Sequence, residues 1–279
     1  MKNTFASWIW SFKVVVRSYP SVVVLAALIA FWVFAAYQWL GLPESSGLVL
    51  ALAFVWAAVQ LLVTVAILSG TVQGATQAAT AERDRLLLLD LVWTGLTHRR
   101  RFWGALLLCV VSSVVVGLLW AGFTWINDHA LEVASFLTFH SQKPVSYVLV
   151  RKIYQVVEGL MWIALGGFLL SFGIALFMHG WRGARKQAGR LLARCSVRSP
   201  FVAGLLSVVV FGGAAHLLAH WRPVVPAGFW DYTQMAVRFA LVPILLAAGW
   251  LLWLLSLARL NLRVIAPSVT VETSPPKRD

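Results

Sequence analysis

Two histidines four residues apart, His216 and His220, are a pair whose type and spacing could do chemistry. On a helix, residues i and i+4 share one face, so both imidazoles could be offered to a single metal ion. A zinc site needs more ligands, and only Asp128, His129, Glu132, His140 and Asp231 fall on that side of the chain. Haem held by two histidines needs facing helices at one depth, and His179 belongs at the opposite surface from His216. The expectation is interfacial histidines, with no metal site and no cofactor. A second pair, Glu158 and Arg238, stands near the ends of two apolar runs, where ionisable groups are functional candidates. The plainer reading is that they snorkel to the interface or pair with each other. A Gly-rich phosphate loop, a nucleophile elbow, a metalloprotease helix and a paired Cys-x-x-Cys are all missing, and the chain reads as a non-enzyme. Cys109 and Cys195 fall in an apolar run and in a basic stretch, so no structural disulfide is expected.

The remaining charge collects in two connectors. The central one, Ser69 to Leu108, holds Glu82, Arg83, Asp84, Arg85, Asp90, Thr94, His98, Arg99, Arg100 and Arg101. Its apolar residues Leu86 to Leu89, Leu91, Val92 and Trp93 would lie flat on a membrane surface with the charges facing out. Such a segment either anchors its loop, which is the plainer reading, or docks a soluble partner; the acids are the less expected feature, because a lipid-binding helix would favour Lys and Arg. In the later connector Arg182, Arg185, Lys186, Arg190, Arg194 and Arg198 form a basic stripe at helical spacing, opposite Leu191, Leu192 and Val197. Its readings are attraction to anionic headgroups, about 1 kcal/mol per basic residue near the surface, or docking to an acidic protein. Nucleic acid is not expected, since the stripe lacks aromatic platforms for bases.

These connectors are positioned by long apolar runs. The chain is 60% hydrophobic and 12% charged, far from the roughly one-quarter charged of a soluble domain. Six runs are long enough to cross about 30 Å of hydrocarbon, near residues 21–40, 48–68, 102–125, 156–179, 201–218 and 235–257. The predicted fold is therefore all-α: one polytopic membrane domain over 1–261, three hairpins with amphipathic connectors, and a flexible tail over 262–279. A short amphipathic segment, Phe5 to Ser18, precedes the first run, with Trp8, Trp10 and Phe12 at headgroup level and Lys13 and Arg17 toward phosphates. A loop of about thirty residues is expected after the third run. Gly70, Gly74 and Ala78 recur every four residues, the spacing of a close helix-packing seam. With the N-terminus inside, eighteen Lys and Arg fall on the cytoplasmic side and five on the other, Lys143, Arg151, Lys152, Arg222 and Arg238. That asymmetry accounts for the net charge of +13 and predicts both termini in the cytoplasm. Sparse loops suggest a bacterial inner membrane.

The residues of the central connector resemble a known family. Type-2 ATP-binding-cassette exporter permeases carry a coupling helix between their second and third spans, with a loose pattern of Glu-Arg, Gly-Thr, a leucine-rich turn, Thr-Pro-Leu-Ser-Arg-Arg and Gly-Lys. Glu82 and Arg83, then Thr94, Gly95, Leu96, Thr97, His98 and Arg99, then Gly104 and Ala105 stand at matching offsets. Leu86 and Leu87 replace the Gly-Thr, Gly95 the proline and Ala105 the lysine. The resemblance implies docking of a separate nucleotide-binding ATPase subunit on residues 82 to 101. A second likeness is to multi-pass families that repeat an interfacial segment plus hairpin, including the membrane domain attached to some glycerophosphodiester phosphodiesterases. The repeat entries are RSYPSVVVLAAL, HRRRFWGALLLC and VRSPFVAGLLSV.

No charged residue falls near the centre of a run, and Gln60, Ser112, Ser113 and Ser171 are the deepest polar groups. That weighs against a proton- or ion-coupled pump, but not against a permease for lipid-like substrates or a structural subunit. Two functions stay open: the permease of an ATP-driven export system, or a scaffold within a larger membrane complex. The partners implied are membrane lipids and, respectively, an ATPase subunit or a homo- or hetero-oligomer.

Overall fold

The computed structural model describes residues 2–41, 46–86, 99–221 and 228–265. Six helices in it are long and apolar enough to cross a membrane, and the described residues contain no strand. The all-α, six-span expectation therefore holds. In chain order the helices are α1 (Lys2–Arg17), α2 (Tyr19–Leu40), α3 (Gly47–Thr80), α4 (Arg99–Asp128), α5 (Ala130–Ser141), α6 (Tyr147–Val197), α7 (Ser199–Ser207), α8 (Gly213–His220) and α9 (Phe229–Ile265). A π-helical turn, Val208–Gly212, joins α7 to α8, so these three make one span.

The helix at the centre is α9. Between Ala247 and Ala258 nearly every side chain is buried, including Leu251, Leu252, Leu254, Leu255 and Leu257. A helix apolar all round has no solvent face to keep, so it can be covered on every side. It is packed by α1, α2, α3, α6, α7, the π turn and α8. Close approach is bought with glycine at three contacts. Trp253 lies against Gly166 of α6 and Gly204 of α7, where a Cβ would stand 2.7 Å from the indole in each case. Phe211 of the π turn seats on Gly249, where a Cβ would meet the Phe211 Cβ at 2.8 Å. Gly70, Gly74 and Ala78 of α3 are buried, as their spacing predicted for a packing seam.

Three local expectations are corrected. The loop after the third span is helical: α4 reaches Asp128, and α5 follows at once. Ala130 and Ala134 of α5 pack with Val150, Gln142 ends the helix at φ 52, and Thr138 Oγ1 accepts from Val145 N at 3.0 Å. The helix α9 runs on to Ile265, with Asn261 fully buried, so the domain does not stop at 261. The tail beyond 265 lies outside the described residues.

The third correction concerns the basic stripe. Ser171 and Cys195 belong to one continuous helical segment, and a straight helix would hold residues 24 apart about 36 Å from each other. Ser171 Oγ and Cys195 Sγ are 3.5 Å apart. The reversal occurs at Gly180, with φ 69 and ψ −178, a conformation essentially restricted to glycine. Residues 181–197 therefore fold back onto the fourth span as the second arm of a helical hairpin.

Candidate functional site

One end of the bundle gathers α1, the end of α3, the start of α4, Gly180 and the end of α9, and most of the arginines. Here α1 does more than float on a surface. Thr4, Ser7, Ser11, Val14 and Val15 face inward, and Ser256 Oγ donates to Ser11 Oγ at 3.1 Å. Trp8 and Trp10 are half-buried, and the Arg259 guanidinium sits 4.6 Å from the Trp10 ring centroid. Phe5, Ile9, Phe12 and Val16 are the large apolar residues of the outward face among the described residues. The small hydroxyl face explains this docking: Ser Oγ bonds its own backbone, as Ser11 does to Ser7 O at 2.8 Å, and lets helices approach closely.

The central connector begins clamped to α1 and α2. Ser18 Oγ accepts from Leu86 N at 2.8 Å, and Ser21 Oγ donates to Leu86 O at 3.1 Å. Beside them Arg17 and Asp84 form an ion pair at 2.6 Å. Both partners are more than half exposed, so the pair itself contributes about 0–1 kcal/mol; the buried clamp matters more. The end of α3 is also unusual. Arg83 N bonds Ala78 O at 2.9 Å, which makes a Schellman cap with Glu82 at the left-handed position, φ 48. Glycine is the usual residue there, and a side chain costs about 1–2 kcal/mol. Glu82 and Arg85 are exposed. Asp90, Thr94 and His98 lie outside the described residues, and Arg99, Arg100 and Arg101 open α4.

On the returning arm of α6 the buried face is Ala184, Leu191 and Cys195. Arg182, Arg185, Lys186, Arg190 and Arg198 are exposed and Arg194 half-exposed, and among the described residues no acid pairs with them. Leu192, expected opposite the stripe, is instead 51% exposed. Cys195 is held with Ser171 and Asn261, whose Nδ2 donates to Ser171 Oγ at 2.8 Å.

At the other end of the bundle the expected pairs rearrange. Glu158 accepts from Asn127 Nδ2 at 3.4 Å and Trp162 Nε1 at 3.2 Å. Arg238 donates to the Trp221 carbonyl oxygen. Each therefore meets a local partner, with Arg238 Nε left unpartnered among the described residues, and the two do not pair with each other. His216 and His220 do stand together, ring centroids 4.1 Å apart, with His220 Nδ1 against His216 O at 2.9 Å. Among the described residues no three His, Cys, Asp or Glu side chains come together there or elsewhere.

What sequence reasoning missed is a cavity of 370 Å³ between α3, α4 and α6, closed on its inner side by Trp250 of α9. Its floor is Gly173, whose missing side chain leaves Val72 of α3 and Leu108 of α4 in reach. Its volume lies in the usual range for small-molecule pockets. Leucines and valines dominate the lining, and none of the described lining residues is charged. Thr64, Ser69, Gln73, Cys109, Ser112 and Ser113 supply its polarity. Ser113 and Val116 are exposed, so the cavity opens through the flank of the bundle. Thr64 Oγ1 and Ser69 Oγ are satisfied by backbone carbonyls, at 2.8 and 3.3 Å. Gln73 differs: it is 3% exposed, lines the cavity, and makes no side-chain hydrogen bond with the described residues. The available signal was the recurrence of Thr64, Ser69 and Gln73 along one helix, opposite Ser112 and Ser113 of the next span. A smaller cavity of 220 Å³ lies on the other side of α3 and shares Thr64, Leu68 and Trp250. No protein-family model, no curated protein and no solved structure matches the chain.

Proposed function

We propose that this chain is the membrane subunit of an export system for lipid-like molecules, with no chemistry of its own and driven by a separate nucleotide-binding ATPase. The observation that supports this reading is the placement of the cavity. Two of its walls, α3 and α4, are the helices that residues 81–98 join. A partner that pulled on this connector would act directly on both walls. The flank opening suits a substrate that arrives from within the bilayer, and an uncharged lining suits one that is mostly hydrocarbon. Glu82, held in a left-handed conformation at the end of α3, would be the first contact with the ATPase, because strained residues concentrate at functional contacts. The charge asymmetry supports a cytoplasmic side for the connectors and both termini, and the sparse loops support a bacterial inner membrane.

A scaffold within a larger membrane complex is the second reading, and the clamp of Ser18 and Ser21 on Leu86 favours it. A connector tied to its own bundle is a rigid surface, better suited to holding a partner than to relaying a stroke. Purification of the tagged protein from its native membrane in mild detergent, with mass spectrometry of what remains bound, separates the two. A stoichiometric ATPase, lost on Glu82→Lys, is the expected result. Other membrane proteins in place of any ATPase would replace the exporter with the scaffold.

A further inference from the structure

We infer that the cavity between α3, α4 and α6 holds one acyl chain of a membrane glycerolipid, its ester carbonyl against Gln73 and its head group outside. This deepens the reading of the cavity as a substrate site and rests on it. Three observations define the ligand. First, Gln73 is 97% buried and lines the cavity, and its amide makes no side-chain hydrogen bond among the described residues. An amide that lines the cavity can be met there by a ligand with an uncharged hydrogen-bonding group. Second, the α3 wall of the cavity changes in polarity along its length. From Leu61 to Leu68 the α3 wall is apolar apart from Thr64, and from Ser69 to Gln73 it is polar at both ends. Leu68 ends the apolar run, and Gln73 lies about 7 Å further along the helix. Ester linkages occupy this boundary between hydrocarbon and head groups in a bilayer. Third, no described lining residue carries a charge to neutralise phosphate within the cavity. The phosphate is therefore left at the arginine-rich end, where the cations of the α6 return arm are exposed and unpaired by described acids. Polar contact comes through the linkage and apolar contact through the chain.

The test uses the purified full chain in nanodiscs of phosphatidylethanolamine and phosphatidylglycerol containing a trace of phosphatidylglycerol with a diazirine in one acyl chain. After illumination, adducts are mapped by mass spectrometry. They are expected on the cavity walls, residues 105–116 and 166–177, in excess over outward-facing positions such as Phe54 and Leu118. Unlabelled diester lipid should compete about tenfold better than its diether analogue, the effect of one hydrogen bond to a desolvated group. Gln73→Leu should remove that difference, and Ala105→Phe, which puts a ring into the cavity, should reduce the adducts while the protein stays monodisperse. Equal labelling of outward faces, or equal competition by ester and ether in the unmodified protein, would overturn the inference. No ATPase is present in this experiment, so its failure leaves the result of the co-purification standing, and the reverse holds as well.

Discussion

Gly204→Ala is the substitution whose effect can be worked most directly from the packing around α9. The new Cβ would stand 2.7 Å from Trp253 Nε1 and 2.8 and 3.0 Å from two ring carbons. The indole cannot retreat, because its far edge already meets Gly166, where a Cβ would be 2.7 Å from Cη2. Overfilling a packed core costs about 1–3 kcal/mol, a factor of roughly 5 to 150 in the folding equilibrium. Burial of Trp253 at 9% exposure, with backbone on both sides, places the cost in the upper half of that range. Trp253→Leu removes the obstacle, at the expense of the contacts the ring makes. The two changes should therefore couple: Gly204→Ala should be nearly neutral in the Trp253→Leu background. Reversible unfolding of all four proteins in mixed micelles, read by tryptophan fluorescence and helicity, gives the coupling energy. A value below about 0.5 kcal/mol, or an unmodified stability for Gly204→Ala alone, would refute the packing of Trp253 between two glycines as the reason for those glycines.

Gly180→Ala should destabilise the protein by about 1–3 kcal/mol, because the reversal there needs a glycine-only conformation; unfolding in micelles reads the loss. Glu82→Gly should stabilise it by about 1 kcal/mol through relief of the left-handed cap, while weakening capture of an ATPase partner, so stability and binding move in opposite directions. Ser18→Ala should cost about 1–3 kcal/mol by leaving the buried Leu86 N–H unpaired, whereas Arg17→Gln should cost under about 1 kcal/mol and be masked by salt. Cysteines placed at Lys13 and at His140, in a background lacking the native pair, should be labelled from opposite sides of sealed vesicles; labelling from one side would overturn the charge-derived orientation.

Six apolar runs and two connector compositions were legible because hydrocarbon thickness and charge bias act on single segments, and each segment carries its own signal. The packing seam of Gly70, Gly74 and Ala78 was legible for the same reason. The reversal at Gly180 was not, since one glycine among twenty reads alike whether it bends a chain or merely thins a helix. Local preference also failed for α1: its apolar and aromatic residues suggested a surface helix, while the contact that fixes it is made by its serines. Gln73 escaped notice because its significance lies in what it lacks, a partner on neighbouring helices, and a linear sequence does not display unmet hydrogen bonds. The Glu158 and Arg238 pairing failed because each had a nearer neighbour with a suitable dipole.

That the central helix also follows all the other described helices has a consequence for how the protein is made. Serines 7 and 11 and the seam of α3 are synthesised well before the surface that covers them. At about 5–20 residues per second, roughly ten to fifty seconds separate the emergence of α1 from that of the inner half of α9. During that interval the earlier spans must wait in the membrane with their contact faces turned to lipid or to a holding factor. Assembly is then a closing step, triggered by arrival of α9, and chains stalled before Ala247 should be recognised as unfinished and removed.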